Sequence, residues 1–384
     1  MRSFDGRPAP QEEADLSPAL KRQLATAPDS LRLRLTGRLQ VHLPLLRDRL
    51  HRLYGATPDF EPWFAALLCS VLDWALQRPL PLCQLDQQRH GNPHWHQAPT
   101  MLAYSAYVDR FAGKLDQVAQ RIPHLQDLGV RYLHLLPFLR ARHGANDGGF
   151  AVASFEEVEP RLGTISDLRS LTDQLRQANI SLCADLVLNH VADDHPWALA
   201  AQRNDPHYRA YFHVFDTPEQ VRHQEAHLNQ VFPQTAPGNF TYVPALQGWV
   251  WTTFYSYQWD LNYAHPAVFA DMVSALLRLA NLGVEAFRLD STAYLWKRND
   301  TTCMNQPEVH WLLQAMRCVV DIAAPGVLLK AEAIVPTREL PPYFGQAEAF
   351  GRECQVAYHS SLMAAAWVAL AEQNAELVHE VLRN

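Results

Sequence analysis

From about residue 100 to its end, the chain alternates short apolar runs with helix-like segments. The runs are SAYVDRF, RYLHLLPF (131–138), SLCADLVLNH (181–190), GVEAFRLD (283–290), VLLKAEAIV (327–335) and QVAYH (355–359). The clearest helical segments lie at 164–178, at about 307–323 and after the last run. Six strand–helix steps in order are typical of a parallel sheet covered by helices. The sequence therefore predicts an α/β protein.

Polar side chains occur where several of these predicted strands end. Asn189 and His190 end the third strand, Asp290 ends the fourth, and Glu332 lies near the end of the fifth. In a TIM (β/α)8 barrel, that end of the strands carries the active site. A nucleotide-binding sheet would need a glycine-rich turn, and neither GxGxxG nor GxxxxGKS/T occurs. We therefore expect an incomplete TIM barrel with about six of its eight βα units.

The composition is that of a globular protein, with 48% hydrophobic and 19% charged residues. Its net charge of −7 argues against a nucleic-acid partner, because general nucleic-acid binders usually present a basic surface. The six cysteines form no CxxC pair, which favours a reducing compartment. The N-terminus has no apolar core of signal-peptide length, and no uncharged run reaches the length of a membrane span. We expect a cytoplasmic protein without a membrane partner.

The chain divides into four predicted parts. Near its start, leucines recur at three- and four-residue spacing from Leu39 to Leu53, and Gly55 marks the expected helix end. The segment between the third and fourth predicted strands is rich in histidine, proline and aromatic residues. We expect it to cover the strand ends. The predicted parts are an N-terminal helical domain (1–100), the first part of the barrel (101–190), a B-domain insertion after strand 3 (191–262) and the second part of the barrel (263–384).

Asp290 and Glu332 are the first candidates for catalysis. Each lies near the end of a predicted strand, so both would face one cleft if the strands are neighbours. Glycosidic chemistry needs such a pair, since one carboxylate attacks the anomeric carbon and the other protonates the leaving oxygen. Arg288, two residues before Asp290, would hold that carboxylate ionised. Glu332 lies among apolar residues, which favour a raised pKa. In the alternative interpretation both carboxylates only cap helices.

Three segments, ADLVLNH, GVEAFRLD and KAEAI, resemble sequence blocks of the α-amylase family of retaining glycosidases and glucosyltransferases. Within that family, longer segments such as YVDRFAGKLDQV, WVWTTFYSYQWDLNY and RLDSTAYLWKR are most similar to the amylosucrases. The resemblance implies glucosyl transfer from sucrose to an α-1,4-glucan with release of fructose. The implied partners are sucrose and an α-glucan acceptor, and no cofactor is implied.

The resemblance also implies roles for individual residues. Asp290 corresponds to the nucleophile, Glu332 to the general acid/base and Arg288 to the arginine that supports the nucleophile. His190 corresponds to a histidine that binds glucose hydroxyls, and Asp147 to an aspartate at the floor of the glucose site. Each of these last two has an ordinary alternative, a structural histidine and a plain Asn-Asp-Gly-Gly turn.

Three further residues correspond to the walls of the sucrose site. Phe150 stands where the family usually carries a stacking tyrosine, while Phe254 and Gln258 correspond to an aromatic and an amide residue. No metal site is predicted. Asn189 is a calcium ligand in many α-amylases, but these usually carry Lys-His where this chain has Ala293-Tyr294.

The family's fourth block, an HD pair whose aspartate stabilises the transition state, is expected after a seventh strand. It does not occur before Asn384. We therefore expect a fragment of a longer gene product with little or no turnover, the alternative being a natural truncation. An incomplete barrel would also have two open sheet edges. Two other functions stay open: a sucrose hydrolase or other sucrose-acting α-glucosidase, and a non-catalytic carbohydrate-binding protein.

Overall fold

The computed structural model describes residues 16–345 and 351–383, so residues 1–15 of the predicted N-terminal domain, and 346–350 and Asn384 of the last predicted part, lie outside the described residues. The described chain begins with four helices. The predicted end of the leucine-rich helix is confirmed, because α2 ends at Tyr54 and Gly55 is its C-terminal capping residue. The helices are α1 (Pro18–Ala25), α2 (Asp29–Tyr54), α3 (Phe60–Leu76) and α4 (Leu80–His90).

The first part of the barrel follows these helices. The elements are β1 (Leu102–Ala106), α5 (Val108–Phe111), α6 (Leu115–Ala119), α7 (Ile122–Asp127), β2 (Val130–Leu135), β3 (Leu139–Ala141), β4 (Val152–Val158), α8 (Ile165–Gln177) and β5 (Ser181–Val187). The first strand begins at Leu102, before the SAYVDRF run. It ends at Ala106, because residues 108–111 form a helical turn closed by a hydrogen bond from Phe111 N–H to the Tyr107 carbonyl. The helix predicted at 164–178 is confirmed, with Thr164 and Asp167 forming a capping box at its start.

An insertion separates the third and fourth strands of the barrel. Its elements are β6 (His190–Ala192), α9 (Pro196–Gln202), α10 (Pro206–Arg209), β7 (Val214–Phe215), α11 (Pro218–Glu225), β8 (Phe240–Val243), β9 (Gly248–Trp251) and β10 (Gln258–Asp260). The strands form two small antiparallel sheets, β6–β10 and β7–β9–β8. Asp260 lies opposite His190 in the first of them. This pairing fixes the insertion to the segment that leaves β5.

The second part of the barrel contains two long helices. Its elements are α12 (Pro266–Asn281), β11 (Ala286–Asp290), α13 (Pro307–Ala323), β12 (Leu328–Ala331), β13 (Val356–Ala357), α14 (Ser360–Glu372) and α15 (Glu376–Arg383). The helix predicted at about 307–323 has those bounds. The predicted last helix is interrupted, because Gln373 adopts the left-handed conformation with φ 53° between α14 and α15.

Six strands form one parallel sheet in the order β1–β2–β5–β11–β12–β13. The prediction of an incomplete barrel with six βα units is therefore confirmed. Within the described residues, β1 and β13 are the two edges of this sheet. Helix α14, which follows the β13 edge, exposes the apolar side chains of Met363, Trp367 and Leu370.

The N-terminal helices pack against the helices of the barrel. Helix α2 packs against α13, and α3 packs against both α12 and α13. One apolar core extends from Leu20 in α1 to Tyr343 near the last strand. Fully burying each leucine of this core contributes about 1.5–3 kcal/mol. Within the described residues, no helix combines the length and the apolar character needed to cross a membrane.

Candidate active site

A half-buried arginine lies between two aspartates in the middle of the sheet. The two-residue period of β11 brings Arg288 and Asp290 to the same face. Arg288 Nη1 donates to Asp290 Oδ1 at 2.6 Å and to Asp185 Oδ1, across on β5, at 2.6 Å. Burial lowers the pKa of Arg288, but Asp290, Asp185 and Glu332 outweigh burial and raise that pKa. The guanidinium therefore remains charged.

Glu332 directly follows β12, the neighbour of β11, and lies against the same arginine. Its Oε1 is 3.5 Å from Arg288 Nη2, and its Oε2 accepts a hydrogen bond from Ser291 N–H at 2.8 Å. Burial and then the negative charge of Asp290 raise the pKa of Glu332, against the opposing effects of Arg288 and Ser291. The predicted direction is confirmed. Its apolar neighbour Ile334 is 61% exposed, however, and does not account for the raised pKa. The burial of the Glu332 side chain itself and the charge of Asp290 account for it.

Asp147 and Gln258 form a second polar pair beside the sheet. Gln258 Nε2 donates to Asp147 Oδ2 at 2.7 Å, and Ala151 N–H donates to Asp147 Oδ1 at 3.0 Å. The Asn-Asp-Gly-Gly segment is a tight turn, as the ordinary interpretation predicted. Gly149 has φ 99°, and a Cβ there would lie 2.9 Å from Pro137 Cβ. The turn thus brings Asp147 to Gln258 only because glycine permits it.

Aromatic rings surround these polar groups. The Arg288 guanidinium lies 5.4 Å from the centre of the Phe150 ring. The Phe254 ring lies 5.2 Å from that of His190 and 5.4 Å from that of Tyr294. His190 is 2% exposed, and its buried Nε2 has no hydrogen-bond partner among the described residues. A buried ring nitrogen of this kind is available to a ligand.

All eight predicted site residues therefore lie around the carboxyl ends of the barrel strands and the segments beside them. Tyr107 connects the two polar groups, since burial and the charges of Asp185 and Asp147 raise the pKa of its hydroxyl. An apolar surround with a few convergent polar groups is the usual form of a site for a neutral small molecule.

The sequence interpretation missed two residues of this cluster, Asp185 and His134. His134 Nε2 lies 2.9 Å from Asp185 Oδ2, and His134 Nδ1 lies 3.4 Å from Ser105 Oγ. A polar row thus crosses β1, β2, β5 and β11. Its signal in the sequence was a charged residue inside the otherwise apolar run SLCADLV.

Lys297 was also missed, and it joins the insertion to the barrel. Its side chain is 4% exposed, and Nζ donates to Asp260 Oδ2 at 2.6 Å and to the Tyr294 carbonyl at 2.8 Å. Longer contacts reach Asn189 Oδ1 at 3.3 Å and Thr253 Oγ1 at 3.4 Å. Asn189, considered above as a calcium ligand, thus contacts an ammonium group. Over 16–345 and 351–383, no group of three His, Cys, Asp or Glu side chains is arranged to hold a metal ion.

The fold and this site define a class of protein, β/α barrels whose strand ends carry a carboxylate pair held by one arginine. Residues 86–380 match the family model of the α-amylase catalytic domain. The chain belongs to the α-amylase family.

Similar proteins carry several names. The chain is 34% identical over 298 residues to the trehalose synthase/amylase TreS of Mycobacterium tuberculosis, covering 76% of this chain and 49% of that protein. It is 37% identical over 232 residues to a glucosylglycerate phosphorylase of Allomeiothermus silvanus, covering 60% and 39%. The chain thus spans about half the length, or less, of these curated relatives. Their names differ from the expected amylosucrase, so the use of sucrose is a proposal.

Solved structures resemble the fold. The trehalulose synthase MutB of Pseudomonas mesoacidophila matches with a TM-score of 0.60 and 20% identity, over 69% of this chain and 50% of that chain. At this identity the likeness shows the fold alone.

Proposed function

We propose that the chain carries a retaining glucosyl-transfer site, with Asp290 as the nucleophile and Glu332 as the general acid/base. The observation that carries this proposal is a single guanidinium between two carboxylates in unequal surroundings. Both oxygens of Asp290 accept hydrogen bonds, from Arg288 Nη1 and from Ser291 Oγ, which orients the carboxylate for attack. Glu332, with its raised pKa, keeps a proton to higher pH than an exposed glutamate.

The proposed reaction has two steps. In the first, an Asp290 oxygen bonds to the anomeric carbon, the bond to the leaving oxygen breaks, and Glu332 donates its proton to that oxygen. In the second, an acceptor hydroxyl bonds to the anomeric carbon and gives its proton to Glu332. The bond to Asp290 breaks in the same step, with its electron pair returning to the carboxylate. Two displacements retain the configuration of the sugar.

The surrounding residues suit the binding of a glucosyl ring. His190 offers an unpaired Nε2, and the Asp147–Gln258 pair offers further acceptors and donors for hydroxyl groups. The rings of Phe150 and Phe254 offer apolar faces against which a sugar can stack. These five residues carry no net positive charge, which suits a neutral ligand.

We further propose sucrose as the glucosyl donor and an α-1,4-glucan as the product, with fructose released. The support is the sequence similarity of long segments to the amylosucrases, including the residues after the nucleophile. Ala293 and Tyr294 stand there, and the Tyr294 ring packs against Phe254 at the site.

A second candidate is the rearrangement of a glucosyl disaccharide. It is favoured by the 34% identity to a protein named trehalose synthase/amylase over 298 residues. Product analysis separates the candidates. Sucrose, maltose and trehalose are supplied singly, and glucosylglycerate is supplied with phosphate. Fructose and glucan from sucrose support the first candidate, whereas interconversion of maltose and trehalose supports the second. Equal glucose and fructose from sucrose would instead indicate a hydrolase.

The covalent step is tested directly with 5-fluoro-α-D-glucosyl fluoride, an activated donor that does not depend on fast turnover. We expect intact-mass spectrometry to detect one glucosyl adduct, and peptide mapping to locate it on Asp290. Asp290→Asn should form none. An unmodified wild-type chain that still binds sucrose, together with binding that survives Asp290→Asn, would contradict the proposal and support the non-catalytic alternative.

A further inference from the structure

Ser291 contacts both carboxylates of the site. Its hydroxyl donates to Asp290 Oδ2 at 2.7 Å, and its main-chain N–H donates to Glu332 Oε2 at 2.8 Å. The residue is 8% exposed and adopts the left-handed conformation with φ 54° and ψ 35°. A non-glycine residue in this conformation is uncommon and marks a constrained position.

The chain beyond Ser291 holds this geometry in place. Thr292 N–H and Thr292 Oγ1 both donate to the Glu332 main-chain carbonyl, at 3.0 and 2.9 Å. Tyr294 N–H donates to the Ser291 carbonyl at 3.1 Å. The turn after β11 is therefore bound to the end of β12, and the Ser291 N–H points at Glu332 because of it.

The two bonds of Ser291 differ in what a substitution removes. The N–H bond to Glu332 belongs to the main chain and survives a change of side chain, whereas the hydroxyl bond to Asp290 is lost with the hydroxyl. A donor bound to a carboxylate stabilises the free anion more than the ester formed from it, because the anion carries the larger charge. Such a donor therefore slows attack by the carboxylate and assists its departure.

We propose that Ser291 is a positioning residue that adjusts the balance between the two displacement steps, through its hydroxyl bond to Asp290. This inference rests on the proposed nucleophilic role of Asp290. Arg288 binds the other oxygen of Asp290 and contacts Glu332 as well, so it acts on both carboxylates. Among residues 16–345 and 351–383, the Ser291 hydroxyl is the one side-chain donor that binds Asp290 without also contacting Glu332.

The test measures both steps separately in the full 384-residue chain. 5-Fluoro-α-D-glucosyl fluoride is added, and the formation of the adduct is followed by intact-mass spectrometry. Excess reagent is then removed, maltose is added as the acceptor, and the decay of the adduct is followed. We expect Ser291→Ala to lengthen the lifetime of the adduct roughly tenfold without slowing its formation, since a charge-assisted hydrogen bond is lost.

Two further variants separate this effect from a change in folding. Ser291→Gly removes the same hydroxyl and also suits φ 54°, so it should lengthen the lifetime equally while keeping or raising the melting temperature. Thr292→Val removes a neighbouring hydroxyl that donates to the main-chain carbonyl of Glu332 at 2.9 Å. It should leave the ratio of the two rates unchanged.

The outcomes are distinct. Equal slowing of both steps in Ser291→Ala, or the same lifetime change in Thr292→Val, would overturn the role of Ser291 and leave the proposed function standing. The absence of an adduct in the wild type and in every variant would overturn the proposed function and the role of Ser291 with it.

Discussion

Arginine–carboxylate pairs lie at both ends of the parallel sheet, but their charges balance at only one end. At the amino ends of the strands, Arg89 of α4 forms a salt bridge with Glu285 and donates to the Gly326 carbonyl at 2.8 Å. Arg78 binds Asp86 through two hydrogen bonds of 2.6 and 2.8 Å. The charges of these two arginines are thus balanced by two carboxylates.

At the carboxyl ends of the strands, three carboxylates share one arginine. Arg288 contacts Asp185, Asp290 and Glu332, with only the imidazole of His134 as a further partner for Asp185 within the described residues. The excess of negative charge contributes to the raised pKa of Glu332. A balanced pair is thus suited to holding helices against a sheet, whereas an unbalanced cluster leaves a group able to exchange a proton.

The largest expected difference between the two ends concerns the covalent step. Asp290→Asn should lower the rate of adduct formation by roughly four orders of magnitude or more, since the nucleophile is lost. Its matched control is Glu285→Gln, the same kind of change at the other end, which should lower the free energy of unfolding by about 3 kcal/mol. A loss of adduct formation in a folded Glu285→Gln variant would contradict the division between the two ends.

Removing the general acid Glu332 should slow transfer from some glucosyl donors more than from others, depending on the leaving group. We expect Glu332→Gln to lower transfer from sucrose by roughly 10²–10⁴-fold, because the departing oxygen then receives no proton. With α-D-glucosyl fluoride as the donor the loss should be much smaller, since fluoride needs less assistance. Equal losses for both donors in a kinetic assay would rule out this role.

The Lys297–Asp260 pair tests whether a charge-balanced pair near the site stabilises the fold, as we expect of the pairs at the amino ends of the strands. Lys297→Met leaves Asp260 buried without its cation, and should cost about 3 kcal/mol of unfolding free energy. The comparison variant is Lys330→Met, whose ammonium lies 4.6 Å from the centre of the Tyr358 ring, a contact of about 0.5–1 kcal/mol. Denaturant unfolding measures both. Similar losses of unfolding free energy in both variants would show that the Lys297–Asp260 pair stabilises the fold no more than the contact between Lys330 and Tyr358.

The smallest expected effect is a pH dependence of stability. A glutamate with a raised folded-state pKa stabilises the folded state in its protonated form, below its ordinary pKa of 4.5, and loses that contribution as pH rises through the folded value. The wild type should therefore lose stability relative to Glu332→Gln as the pH rises above 4.5. The opposite slope in paired unfolding titrations would mean that the pKa of Glu332 is lowered.

Local sequence pattern predicted the carboxylate pair on the condition that the strands before Asp290 and Glu332 are neighbours, and β11 and β12 do pair. Asp290 and Glu332 end neighbouring parallel strands, and Arg288 shares a strand face with Asp290, so short spacings predict their proximity. The end of β1 was predicted wrongly because the pattern of VDRF is compatible with the end of a strand and with a helical turn.

The site residues that the sequence interpretation missed have partners that lie far away along the chain. Asp185 meets Arg288 only because β5 and β11 pair with those two residues opposite each other. Lys297 contacts groups from β10 and from the end of β5, which no spacing along the chain indicates. The main-chain N–H of Ser291 likewise donates to Glu332, 41 residues further along the chain.

The ammonium of Lys297 has one more consequence. It is a cation carried by the polypeptide itself, so its presence between the insertion and the barrel follows no binding isotherm. Dilution, chelators or a change in the ionic medium leave its occupancy the same. The cation that joins the insertion to the strand ends is therefore part of the polypeptide and does not depend on the concentration of any ion in solution.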